Sequence, residues 1–236
     1  MQLLFSGQSF QPLACGALFW PARAALLVAD LHLEKASHFA ARGWPLPPWD
    51  SEVTLARLEA AVNATGAARV IALGDSFHDA DGPARLEAGA RARLAGLAAR
   101  VEWLWVSGNH DGISGGVLGG QVVEELAYEG LVLRHEAVLG ERRGEISGHY
   151  HPKLTVRHKG RAVRRRCFAR GVDKLVLPVY GSLAGGLDVT DVAFAGLFSD
   201  GLEALVCEGD ALLRFPVRPL KGSGAKAPAA RGPFLV

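Results

Sequence analysis

Short apolar runs alternate along this chain with longer amphipathic segments, the pattern of an α/β protein. The runs fall at Ala24 to Ala29, Arg69 to Leu73, Val101 to Val106, Leu131 to Arg134, Glu145 to Ile146 and Lys174 to Val179. Later runs at Val192 to Phe198, Leu202 to Val206 and Leu212 to Val217 follow one another across Gly-containing turns and predict antiparallel strands. The first nineteen residues, with turn-forming Gly7 and Gly16, predict one further strand or hairpin. Two helices stand out. Asp50-Ser51-Glu52 offers cap residues and early negative charge, Val53, Leu55, Leu58 and Val62 form an apolar stripe, and Gly66 can end it. The second starts near Pro83, a residue tolerated in a first turn, and runs through Leu86, Leu94 and Leu97. Gln121 to Tyr128 is expected as a third, shorter helix. From Lys221 onward Gly, Ala, Pro and basic residues dominate, which predicts a flexible tail over 221–236 after a single domain spanning 1–220.

Composition adds bounds. With 49% apolar and 21% charged residues in 236, the chain can bury a sizeable core. Its formal net charge of +2 means that any basic surface must be local. Cys15, Cys167 and Cys207 show no CxxC or finger spacing, which argues against a disulfide scaffold or a structural zinc. The N-terminal MQLLFSGQSFQPLAC lacks a basic segment before a long apolar run, and no apolar stretch is long enough to span a bilayer. A cytoplasmic protein without a membrane partner is expected.

The chemistry sits where the apolar runs end. Ala24 to Ala29 leads into Asp30-Leu31-His32, and Arg69 to Leu73 into Gly74-Asp75. Val101 to Val106 leads into Ser107-Gly108-Asn109-His110-Asp111, Leu131 to Arg134 into His135, and Glu145 to Ser147 into Gly148-His149-Tyr150-His151. Ligands of α/β sheets gather beyond the carboxyl ends of strands. In D-x-H and H-x-H, residues two apart on an extended segment point to one side, so both can reach one ion. The glycines allow sharp turns and close backbone approach. Mixed carboxylate, imidazole and amide ligation suits manganese, iron or zinc, and one aspartate can bridge two ions about 3.5–4 Å apart.

Taken in this order, DLH, GD, GNHD, a lone later His and GHYH resemble the calcineurin-like metallophosphoesterase superfamily, from about Ala24 to Phe215. More narrowly, ADLHLEKASHFAARGWPLP, ALGDSFHDA and LPVYGSLAGGLDV resemble the bacterial ligase-associated DNA damage response phosphoesterases. The superfamily implies a four-layer sandwich, two mixed β-sheets flanked by helices, with the metals at one edge. Carried over by position, Asp30, His32 and His151 would hold a first divalent ion, Asp75 would bridge, and Asn109, His135 and His149 would hold the second. His110 would act as general acid or transition-state stabiliser, with Asp111 orienting it. Mn2+ is the first expectation for both ions, with Fe, Zn or Mg as alternatives. Glu34 stands where that family carries a small residue and Ser76 where it carries an apolar one; neither is a ligand in the motif, so both bear on substrate.

The same resemblance implies a DNA endonuclease or exonuclease working in repair beside a DNA ligase and a DEXH-box helicase. The segment Arg157 to Arg170, containing Arg164, Arg165 and Arg166, follows the H-x-H block and could contact a polyanionic backbone, or simply be a solvated hairpin. Lys35 and Arg42 could add positive charge near the site, and Gly185-Gly186 could shape a loop close to it. His78 could approach a substrate phosphate or cap a turn, His38 reads as a surface histidine, and Tyr150 as core packing. Two other functions stay open: hydrolysis of a small phosphoester, cyclic nucleotide or lipid pyrophosphate, and a non-catalytic scaffold for repair partners. The intact ligand set and His110 speak against a scaffold.

Overall fold

A computed structural model describes residues 1–110, 116 and 118–218. Asp111 and the expected tail over 221–236 lie outside the described residues. The chain opens with β1 (Leu3–Phe5), β2 (Gln8–Pro12) and β3 (Leu18–Trp20), antiparallel neighbours that include the expected hairpin. β4 (Ala25–Val28) runs antiparallel to β3. After α1 (Lys35–Ala40) and α2 (Asp50–Thr65), β5 (Arg69–Leu73) pairs parallel with β4. After α3 (Gly82–Arg85) and α4 (Ala88–Arg100), β6 (Glu102–Val106) and β7 (Gln121–Val123) complete a mixed seven-stranded sheet in sequence order.

The second sheet starts with β8 (Glu125–Tyr128), β9 (Leu131–Arg134) and β10 (Gly144–Ser147). A separate hairpin, β11 (Lys153–His158) with β12 (Arg161–Arg166), precedes β13 (Phe168–Arg170) and β14 (Lys174–Val176). α5 (Val192–Leu197), β15 (Leu202–Glu208) and β16 (Ala211–Val217) follow. This sheet is also mixed and seven-stranded, in the order β16-β15-β13-β14-β10-β9-β8.

The period of two along each strand makes the layers. Ala25, Leu27 and Ala29 point inward with Ile71, Leu104 and Val106, and meet Leu131, Leu133, Ile146 and Leu175 of the second sheet. Leu26, Val28, Val70 and Ala72 point outward onto Leu55, Leu58, Val62, Leu94 and Leu97 of α2 and α4. Ala169, Val176 and Ala204 on the far face receive Phe194 and Leu197 of α5. Helices, sheet, sheet, helix is the resulting stack. β4 is buried at every position because both of its faces are covered, hence its unbroken apolar run.

Several expectations are corrected. Gln121 to Tyr128 is not a helix: β7 pairs with β6 and β8 with β9, so the segment crosses from one sheet to the other. Edge pairing overrides the helical preference of Glu-Glu-Leu-Ala. Val192 to Phe198 is not a strand but α5, capped by the Asp191 carboxylate on Ala193 N at 2.9 Å, with Phe194 and Leu197 one turn apart in the core. The helix expected from Pro83 is two pieces, since Leu86 and Glu87 leave helical geometry between α3 and α4. Leu86 and Leu94 are about two turns apart, so an interruption between them leaves the apolar spacing unchanged. Val53 is 50% exposed and stands outside the stripe of α2. Asp50 does not cap its own helix; its carboxylate accepts from Ala36 N, a donor in the first turn of α1.

Candidate metal centre

Every residue of the expected ligand set follows a strand end at one edge of the two sheets: Asp30 and His32 after β4, Asp75 after β5, Asn109 after β6, His135 after β9, His149 and His151 after β10. The D-x-H and H-x-H segments, however, are not extended. Asp30, His32, Asp75, His149 and His151 have φ of +56°, +44°, +46°, +69° and +47°. Left-handed backbone at a residue with a side chain costs on the order of 1–3 kcal/mol, and persists only where surroundings enforce it. Here the loops enforce one another: Asp30 N donates to Gly74 O at 3.2 Å, His32 N to Asp75 O at 2.9 Å, and Gly148 N to His135 O at 2.9 Å. His149 N donates to the Asp30 carboxylate at 3.0 Å. Gly74 (φ +76°) sits so close to its neighbour that a Cβ there would lie 2.3 Å from His135 Nδ1.

Two groups of donors result, Asp30 with His32 and His151, and Asp75 with His135 and His149. In the first, His32 Nε2 lies 3.2 Å from His151 Nε2, which lies 3.3 Å from Asp30 Oδ1. In the second, His135 Nε2 is 3.4 Å from Asp75 Oδ2 and 3.2 Å from His149 Nδ1, and Asn109 Nδ2 is 3.3 Å from the same His149 nitrogen. Two ligands about 2.1 Å from one ion, at tetrahedral to octahedral angles, lie roughly 3.0–3.4 Å apart, so both groups fit a shared divalent cation. Imidazole nitrogens facing each other at this distance need either a shared proton or a common cation. The donor chemistry, two carboxylates with imidazoles and an amide, suits a borderline divalent metal.

The electrostatics agree. Burial pushes Asp30 and Asp75 toward the neutral form, but His151 beside Asp30 and His135 beside Asp75 hold both carboxyls below their ordinary range. Burial would lower His135, yet its hydrogen bond to Asp75 and the charges of Asp30 and Asp75 raise it to about 9. Burial and the neighbouring His151 push His32 down to about 3. Burial and His135 likewise lower His149. Two enclosed carboxylates thus keep one imidazole charged, the role a bound cation would take over.

No protein-family model matches the sequence, and no curated protein does. Among solved structures, the chain is similar to the Pseudomonas putida nuclease MPE, with 29% identity and a TM-score of 0.69 over 86% of this chain and 96% of that one. The chain belongs to the calcineurin-like metallophosphoesterase superfamily. A weaker similarity is to Yfce, a phosphoesterase from E. coli, with 16% identity and a TM-score of 0.42 over 82% of this chain and 99% of that one.

Around the metallophosphoesterase centre the other expected residues take distinct places. His110 stands at the rim with its side chain 53% exposed, its N–H on Asp75 Oδ1 at 3.0 Å and its Nε2 3.8 Å from Asp75 Oδ2. Asp111, its expected partner, lies outside the described residues. His78 is buried and stacks on His110, ring centroids 5.6 Å apart and planes 15° from parallel. Burial, with the Lys35 ammonium next and then the His38 and His110 rings, pushes it down to about 3. His38 is not a surface histidine: it packs edge-on against His78 at 4.5 Å and its Nδ1 meets the Asp79 carboxylate, which Arg85 Nη2 also grips at 2.9 Å. The His38–Asp79–Arg85 cluster was not apparent in the sequence, where His78-Asp79 beside GD and a histidine on the helix after DLH were its only trace. Tyr150 packs against Phe194 at 5.8 Å, as expected. Gly186 touches the His151 loop, since a Cβ on it would meet His151 O at 2.2 Å. The three arginines of β12 separate: Arg164 and Arg165 are exposed, whereas Arg166 is half-buried and donates to Gly181 O at 2.8 Å. Among the described residues, no helix is long and apolar enough to cross a membrane.

Proposed function

We propose that this metallophosphoesterase is a dinuclear, metal-dependent phosphodiesterase that cleaves nucleic acid, a DNA nuclease of the repair type that works beside a ligase and a DEXH-box helicase. The observation that carries the proposal is the pair of donor groups meeting at one sheet edge, on a fold whose similar structure is a nuclease. Asp30, His32 and His151 would hold one ion, Asn109, His135 and His149 the other, and Asp75 would serve both. Manganese is the first candidate for these mixed oxygen and nitrogen donors, with iron, zinc or magnesium as alternatives. When bound there, two divalent ions would supply Lewis-acid charge for the phosphoryl oxygens and for the attacking water.

The chain's own groups do the rest. The buried carboxylates of Asp30 and Asp75 set the negative charge that retains cations. His110 protonates the leaving oxygen from the rim, its backbone tied to Asp75 so that its ring stays over the site. The family resemblance assigns the next residue in sequence, Asp111, to orienting that ring. His78, stacked behind His110, borders the scissile phosphate, and β12 with Arg164 and Arg166 brings positive charge alongside.

The test is a manganese-supplemented assay of the full chain on single-stranded DNA, duplex DNA, a cyclic dinucleotide and a generic phosphodiester, with Asp75→Asn as control. Cleavage of DNA by the native chain and not by Asp75→Asn is expected. Turnover confined to the small esters would overturn the nuclease reading.

A further inference from the structure

Most arginines around the two sheets rest on carboxylates, as Arg69 does on Glu102, Arg93 on Glu52, Arg143 on Glu141 and Arg170 on Glu203. The hairpin β11–β12 departs from that rule. Among the described residues, Lys153, Arg157, Arg161, Arg164, Arg165 and Arg166 form no ion pair with any carboxylate. Unneutralised positive charge this dense is costly through self-repulsion unless an anion shares it.

The ladder register sorts these charges by face. Lys153 stands opposite Arg166, Thr155 opposite Arg164, and Arg157 opposite Ala162, so these six side chains share one face. Leu154 with Arg165, Val156 with Val163, and Arg161 share the other. The second face is anchored through Leu154, which joins the core under α5. The first face starts at the metal centre. Lys153 follows His151 by two residues, its Nζ reaches Ala184 O at 3.4 Å, and its Cε lies 3.0 Å from where a Cβ on Gly186 would stand, beside His151. Lys35, three residues after His32, is among the charges that act on Lys153, together with Arg166 and Arg164. Farther out, Arg157 and Arg164 line an open groove with Thr155, Asp188 and Thr190. Asp188 offsets only part of this charge: it is a single carboxylate, acting on Arg164 and accepting from the Thr190 hydroxyl at 2.7 Å and from Thr155.

We propose that this one face of the hairpin, Lys153, Arg164 and Arg157, is a phosphate track that carries the nucleic-acid backbone away from the metal centre, and that the opposite face, with Arg161 and Arg165, takes no part. Residues on one strand face recur about every 6.6 Å, so the track extends roughly 13 Å from Lys153 to Arg157. It meets two or three phosphates flanking the scissile one on one side. This deepens the nuclease reading and rests on it for the identity of the substrate, while dividing the arginines of β12 into contacts and bystanders.

The discriminating experiment compares two variants with equal loss of charge: Arg157→Ala/Arg164→Ala on the proposed track, and Arg161→Ala/Arg165→Ala on the other face. Binding of a labelled oligonucleotide to the full chain is followed by fluorescence anisotropy over a salt series, with chelator present so that no cleavage intervenes. Each lost phosphate contact removes about 0.7–0.9 from the slope of log K against log salt, so the track variant should be shallower by roughly 1.4–1.8 and bind roughly 25- to 60-fold more weakly near 0.1 M salt. The other variant should stay within about twofold of native, and both should unfold at the native Tm. Equal losses in the two variants, or none in the track variant, overturn the proposal, as does failure of the native chain to bind the oligonucleotide. Binding with the expected asymmetry but no DNA cleavage would instead remove the nuclease reading and leave the track standing.

Discussion

Replacing Gly74 by alanine tests how the centre is built. Gly74 has φ of +76°, and a Cβ on it would lie 2.3 Å from His135 Nδ1 and 2.6 Å from His135 Cβ. The first consequence is local: left-handed backbone costs an alanine about 1–2 kcal/mol. In a chain of this size that lowers Tm by about 2–8 °C. The second is chemical. Ordinary contact needs about 3.4 Å or more, so His135 must withdraw by about 1 Å, and ligand distances tolerate only about 0.2 Å. Its hydrogen bond to Leu73 O, 3.1 Å in length, breaks with the movement, and with it the restraint on ring orientation. Asp30 meets Gly74 through its backbone N–H on Gly74 O at 3.2 Å, and the three atoms nearest the added Cβ all belong to His135, so Asp30, His32 and His151 are disturbed less. Calorimetric titration with manganese should therefore give one strong site per chain where the native protein gives two, and turnover should fall by about 100-fold or more. Two sites of native affinity in a variant of native Tm would refute the reasoning, because His135 would then have room that the geometry denies it.

Other outcomes are expected. Asp75→Asn removes the carboxylate that His135 and His110 both face, and should weaken metal binding in both groups and abolish turnover; two tight sites by titration would contradict its shared role. His110→Ala should keep both metals and lose about 100- to 10,000-fold in kcat, and native kcat would remove His110 from the chemistry. In the metal-free protein His135 is raised to about 9, above its ordinary 6.5, so its contribution to stability is complete below pH 6.5 and vanishes as pH rises through about 9. A cation must displace that proton, so manganese affinity in the second group should tighten by about tenfold per pH unit between roughly 7 and 9; an affinity flat over that range would show His135 already neutral. Leu27→Ala, fully buried between the sheets, should cost about 2–5 kcal/mol in denaturant unfolding while leaving metal stoichiometry unchanged.

The strands that carry the centre were legible because burial on both faces leaves an unbroken apolar run, as in Leu26, Leu27 and Val28, and because a polar ligand at the end of such a run has few other reasons to be there. Elements outside the double-faced core were less legible. Val122 and Val123 occur in an edge strand that passes between sheets, and Phe194 with Leu197 in a short helix, where a few apolar residues are compatible with either period.

Local chemistry in the sequence picked out the candidate donors: Asp30, His32, Asp75, Asn109, His135, His149 and His151 all come to one edge, since each follows a strand of the same two sheets. The way they converge was decided by the tertiary structure. The left-handed turns at Asp30, His32, Asp75, His149 and His151 exist only because loops from different strands hydrogen-bond one another, a constraint that no spacing of residues along one segment encodes. The same is true of His38, which sequence places on a surface and folding places on Asp79 beside His78. It is true also of the hairpin arginines, alike in sequence but divided by strand register into a face that starts at the metals and one that turns away from them.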